Sequence, residues 1–81
     1  MRIDKFLKNS RIIKRRQVAK NACLNERVKI NGDIAKAGTN VNPGDIIEVS
    51  FGKRNLKVKV LDLIDGAKKN DAGEMFEVID E

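Results

Sequence analysis

Histidine, tryptophan and tyrosine are missing from this chain of 81 residues, and cysteine occurs once, at Cys23. Without histidine, the usual zinc ligand and the usual general base are gone. A lone thiol cannot form an intrachain disulfide, which fits a reducing compartment, and the expected location is the cytoplasm. No cofactor and no metal are expected. The carboxylates Asp62, Asp65, Asp71 and Glu74 fall in a loop-rich stretch without the glycine and spacing of a calcium loop. No apolar run approaches the roughly 20 residues that cross a bilayer. Met1 is followed by charged residues in place of a signal peptide's apolar core, so neither secretion nor membrane association is expected. The aromatic residues are Phe6, Phe51 and Phe76, all at positions expected to be core, which argues against a platform for stacking single-stranded bases. Cys23 is expected on the apolar face of a helix as a small buried thiol. With no catalytic constellation left, the chain is expected not to be an enzyme.

What the sequence does have is charge, unevenly placed. Met1 to Lys36 holds 11 Lys/Arg against 3 Asp/Glu, whereas Ala37 to Glu81 holds 6 against 9. A basic half joined to an acidic half points to a polyanion docking on one side. The charge is densest in SRIIKRRQVAK, where Arg11, Lys14, Arg15, Arg16 and Lys20 have no acidic neighbour between Ser10 and Lys20. A solvated helix face is the plainer reading of such a run. Cations at a helix start oppose the macrodipole, however, and that local cost points to an anion. Acidic lipid would call for Trp or Phe beside the cations, and only Phe6 lies nearby. Nucleic acid is the better candidate.

The length suits one small domain. Ile3, Phe6 and Leu7 recur at helical spacing and predict a helix over Arg2 to Asn9. Ser10 breaks the pattern, Ile12 and Ile13 cross the join, and a second helix is expected to about Glu26, with Val18, Ala19, Ala22 and Cys23 on one face. Lys14, Arg15 and Arg16 then stand near its start, where free backbone N–H groups also attract phosphate. The period then changes. Val28 to Ile30 and Ile34 to Lys36 flank Asn31-Gly32, a strong hairpin signal, and Pro43-Gly44 fits the centre of a type II turn. Ile47 to Phe51 and Leu56 to Leu61 alternate as a second strand pair, and Val28, Ile30, Ile47, Val49 and Phe51 are expected in the core with Ile12, Val18 and Ala22. Gly66 to Gly73 reads as a polar connection, and MFEVID as a last strand or a short helix. The fold class is therefore α+β: two N-terminal helices packed on a small, mainly antiparallel twisted sheet. The domain is expected to span residues 1–65, with 66–81 an acidic segment packed on or trailing it. If the hairpin lies beside the second helix, Lys29, Asn31 and Lys36 extend the basic surface into a ridge suited to structured RNA, although turn chemistry alone accounts for Asn31-Gly32. A helix-turn-helix DNA reader would need only the first 26 residues, and the sheet that follows argues against it.

In order and spacing, R-x-D-K-F-L at Arg2 to Leu7, K-R-R at Lys14 to Arg16, V-x-I-N-G at Val28 to Gly32 and P-G-D at Pro43 to Asp45 resemble the RNA-binding domain family named after ribosomal protein S-four. The resemblance runs from about Arg2 to Phe51. It implies a fold carrying the L-shaped αL RNA-binding motif. Among stand-alone members it is similar to heat-shock protein fifteen and, more closely, to the short factors of bacterial ribosome-associated quality control. It further implies a monomer that binds a stalled large ribosomal subunit obstructed by peptidyl-tRNA, touching large-subunit ribosomal RNA and the tRNA. An alanine-tailing quality-control factor is the implied partner. A ribosome-assembly or ribosomal-RNA-modification accessory role is the alternative. Carried onto this sequence, the family's RNA contacts fall at Arg2, Lys5, Arg11, Lys14, Arg15 and Arg16, with Lys20, Lys29 and Asn31 in support.

Overall fold

The computed structural model describes residues 1–64 and 71–80. Helix α1 spans Ile3–Asn9 and buries Ile3, Phe6 and Leu7 completely. Its first two N–H groups are met by the chain rather than by a side-chain cap: Ile3 N–H donates to the Thr39 carbonyl at 2.7 Å and Asp4 N–H to that of Ala37 at 3.3 Å. The helix stops because Arg11 turns left-handed (φ 62°), its N–H donating to the Lys8 carbonyl at 3.1 Å.

Helix α2, Arg16–Leu24, starts later than the sequence suggested and ends two residues sooner. Residues 10–15 form a turn instead, which tucks Ile13 into the core through an N–H bond to the Leu7 carbonyl at 3.0 Å. A Schellman motif ends α2. Glu26 (φ 60°) donates its N–H to Cys23 and Arg27 its own to Ala22, at 3.0 and 2.9 Å. The helix rests on Ala19 and Cys23, one turn apart and both buried, whereas Val18 is 50% exposed and Ala22 half-buried. The inward stripe is thus rotated from the expected one, and Val18 is not core.

Strands β1 (Val28–Ile30), β2 (Asp33–Ile34), β3 (Ile46–Phe51), β4 (Arg54–Val60) and β5 (Phe76–Asp80) form one antiparallel sheet in the order β2-β1-β3-β4-β5. Asn31 and Gly32 both take positive φ, 51° and 89°, as the two-residue hairpin requires. The Asn31 amide also links distant motifs: its nitrogen donates to Asp45 Oδ1 at 3.1 Å and its oxygen accepts the Ile46 N–H at 2.9 Å. Asp45 Oδ2 in turn accepts the Asn42 N–H at 2.8 Å, closing the Pro43-Gly44 turn. N-G and P-G-D are therefore one structural joint.

Val28, Ile47, Val49, Val58 and Val60 face the helices and complete the core with Ala35, Val41 and Met75. Ile30 and Ile12 pack at its margin, half-buried. Phe51 departs from expectation. It lies on the core side of β3 by alternation, but it borders two open grooves and 43% of it stays exposed. Phe76 opens β5, which follows a single helical turn, α3 (Ala72–Met75). Of MFEVID, Met75 closes the helical turn and Phe76 to Asp80 form an edge strand, with Phe76 opposite Val60 and Val78 opposite Val58. The connection expected at Gly66 to Gly73 lies outside the described residues through residue 70, as does Asp65. Among the described residues no helix is long and apolar enough to cross a membrane.

Candidate nucleic-acid interface

Asp4 stands one residue after Ile3 on α1, at the flank of the apolar stripe, and its side chain is fully buried. A buried carboxylate must be paired or it costs several kcal/mol. Asp4 is paired twice. Arg2 Nη2 lies 3.3 Å from Asp4 Oδ2, while Arg16 approaches side-on, with Nε 3.3 Å from Oδ2 and Nη2 3.5 Å from Oδ1. Oδ1 also accepts the Lys5 N–H at 2.8 Å. The two arginines are 49% and 43% exposed, so each anchors one edge inside and keeps other donors facing solvent. One anion serving two cations leaves a local surplus of one positive charge, already oriented.

Arg2 is held from the other side by the segment between β2 and β3. Arg2 bridges to Asn40 in antiparallel fashion, and a Cβ at Gly38 would lie 3.9 Å from the Arg2 guanidinium. Arg16 is placed by the rotation of α2, which puts it beside the buried Ala19 and Cys23. That same rotation brings Asp4 near the Cys23 thiol, whose pKa is pushed up, first by burial and second by the Asp4 charge.

The turn that leads into α2 carries Arg11, Lys14 and Arg15, all exposed. Arg15 occupies the N-cap of α2 without any side-chain cap bond, and no acidic residue lies in the first turn. A left-handed residue other than glycine or asparagine costs about 1 kcal/mol, so Arg11 is a costly choice for its position. Lys5 and Lys20 are half-buried, and Lys20 borders a groove with Lys36 and Ile34, so the β1–β2 hairpin does lie beside α2.

The ridge expected through Lys29 and Asn31 does not form. Lys29 alternates with Val28 and Ile30, which puts it on the far face of the sheet opposite Glu48, and the Asn31 amide is engaged by Asp45 and Ile46. Asp4 is what sequence reasoning missed. The clue was a carboxylate beside an apolar stripe in a segment rich in arginine, but its second partner lies 12 residues away on another helix.

Two helices on an antiparallel sheet, with basic residues gathered where the helices meet, define a compact α+β RNA-binding domain. The S4 domain family model matches residues 1–47. A protein of Streptococcus pneumoniae named RQC P-site tRNA stabilizing factor is 51% identical over all of this chain and 92% of its own length. Its Bacillus subtilis namesake is 47% identical, over all of this chain and 94% of its length. The trimeric structure of Vibrio cholerae heat shock protein 15 superposes with a TM-score of 0.89 at 25% identity, covering 96% of this chain and 80% of that one. The chain belongs to the S4 domain family, and within it to the family of RQC P-site tRNA stabilizing factors.

Proposed function

We propose that this protein is a non-enzymatic RNA-binding factor of ribosome-associated quality control. It binds large ribosomal subunits obstructed by peptidyl-tRNA, contacts ribosomal RNA and tRNA together, and steadies the tRNA in the P site. In doing so it supports the tailing factor that adds C-terminal alanines to the stalled chain. The names of its relatives support the P-site role. The observation that carries the reading is Asp4: one fully buried carboxylate holding Arg2 and Arg16 half-exposed beside an uncapped helix start. Guanidinium groups fixed in this way bind phosphate without a further ordering cost, and backbone N–H groups and Arg15 add to the same field. Arg11 and Lys14 extend the surface along the turn between the helices, with Lys5 and Lys20 at its sides. Lys29 and Asn31 are peripheral to it.

The test is sedimentation. Tagged wild type and Arg15→Glu, a reversal that leaves the buried Asp4–Arg16 pair intact, are run through sucrose gradients of cell lysate, and fractions are probed for the tag and for peptidyl-tRNA. Wild type is expected with peptidyl-tRNA-bearing large subunits and the variant at the top of the gradient. Wild type that floats free of ribosomal particles overturns the proposal. Association with immature particles alone would favour the assembly role. With about six phosphate contacts, log affinity should fall with log salt at a slope of roughly −4 to −5, and reversing both Arg15 and Arg16 should flatten it by about 1.5.

A further inference from the structure

The helix-facing side of the sheet carries apolar surface beyond the core, and it abuts the basic turn. Two open grooves meet there. One, of about 510 Å3, is lined by Ile12, Phe51, Leu56, Phe76 and Val78, with Arg54 and Asn55. The other, of about 360 Å3, lies between α2 and β3, with Val18 and Val49 as apolar lining and Lys14, Asn21, Asn25 and Arg27 among its polar residues. Ile12 and Phe51 line both. Phe51 is the exposed aromatic at the junction, and Ile12 and Lys14 belong to the same turn as Arg11 and Arg15.

The chemistry of this lining is one-sided. Its charged residues are Lys14, Arg27 and Arg54, all cations, and none has a carboxylate partner among the described residues. The rest of the polar lining is three asparagine amides and Ser50. A phenyl face offers stacking, amides can donate to and accept from a base edge, and cations take the flanking phosphates. An apolar peptide would leave the cations of the lining without an anion, and an acidic one would leave the amides and the ring without a specific use.

We propose that Phe51, floored by Ile12, stacks one unpaired nucleobase of the RNA held by the Arg2–Arg16 surface, with the adjoining phosphates against Lys14, Arg27 and Arg54. This rests on the RNA-binding function proposed above and extends it from phosphate contact to base contact. The arginine clamp supplies affinity and register, whereas the Phe51 subsite selects RNA in which a base is out of its stack.

The affinity of the full chain for purified large subunits carrying peptidyl-tRNA is measured across a salt series for wild type, Phe51→Leu, Phe51→Tyr and Arg16→Glu. Phe51→Leu retains apolar volume at a partly exposed site and removes the ring, so it folds as wild type by thermal melting. It is expected to bind at least about fivefold more weakly with an unchanged salt slope, because no phosphate contact is lost. Phe51→Tyr restores binding. Short-wave ultraviolet cross-linking and mass spectrometry should place a nucleotide adduct on the wild-type peptide that carries Phe51. If Phe51→Leu binds as wild type and no adduct forms while Arg16→Glu, folded by thermal melting, fails, the base subsite is overturned and the arginine clamp stands. Unchanged subunit binding with loss of the tailing factor, or of self-association, also overturns it and marks a protein-binding surface. If Arg16→Glu itself binds as wild type, the function proposed above falls and the inference with it.

Discussion

The two ends of this small molecule handle charge in opposite ways. Across β3, β4 and β5 the charges are laid opposite one another at the surface. Lys57 faces Glu48, with Nζ 3.7 Å from Oε1 and both side chains nearly half exposed, and Lys59 pairs in register with Glu77. Cross-strand pairing of this kind neutralises its cations locally, in water, for little energy. At the helix end the anion is Asp4, fully buried, and it serves two arginines from different elements. Burial makes that carboxylate demand partners, and sharing it leaves the arginines ordered but not neutralised. Solubility needs only the first arrangement. A binding surface gains from the second, because the ordering of its cations is already done before RNA arrives.

The widest contrast between the ends is in packing. Phe6 on α1 is fully buried, and Phe6→Ala is expected to cost about 3–5 kcal/mol, which is most of the stability of a domain this size. Val78 on β5 is 46% exposed, and Val78→Thr should shift urea unfolding by under about 1 kcal/mol. Equal losses would mean that the β5 edge is as central to the fold as the helices.

The charges can be set against each other next. Asp4→Asn preserves shape but removes the charge-assisted bonds to both arginines, and a loss of about 2 kcal/mol is expected in urea, with weaker binding to large subunits. Glu48→Gln should cost under about 0.5 kcal/mol and leave binding unchanged. Full stability in Asp4→Asn would remove the distinction between a buried organiser and a surface pair.

Much of this was legible in the chain because its signals are local. Asn31-Gly32 and Pro43-Gly44 specify their turns through backbone conformations that few residues accept, and both formed as read. The order of the basic and glycine motifs sufficed for the family. What failed to show was tertiary. Arg11 turns left-handed without a glycine to announce it, so the break between helices looked shorter than the six residues from Ser10 to Arg15 that it occupies. Phe51 alternates correctly toward the core, but alternation does not say what covers each end of a strand. Nothing in its own segment sets Asp4 apart, since its partner Arg16 arrives from α2. The Asn31–Asp45 joint spans 14 residues, and neither motif alone announces the other.

The smallest expected effect probes the same burial from another side. Cys23 lies on the buried face of α2, where burial and then the Asp4 charge both disfavour its thiolate and raise its pKa above the ordinary value of 9.0. An unfolded chain therefore releases this proton at about 9, while the folded chain still holds it. The sign follows from linkage: below 9 both states are protonated and the stabilising difference is fully present, and it is lost as pH rises from 9 toward the higher folded value. Wild type should thus lose stability as pH rises above about 9 more steeply than Cys23→Ala, with other titrations common to both. Asp4→Asn should lower the thiol pKa by removing the second cause alone, so alkylation of Cys23 at pH 9 should quicken relative to wild type while burial still holds it slower than in the unfolded chain. If alkylation is unchanged in Asp4→Asn, the Asp4 charge does not reach the buried face of α2, and the buried anion acts only outward through its two arginines.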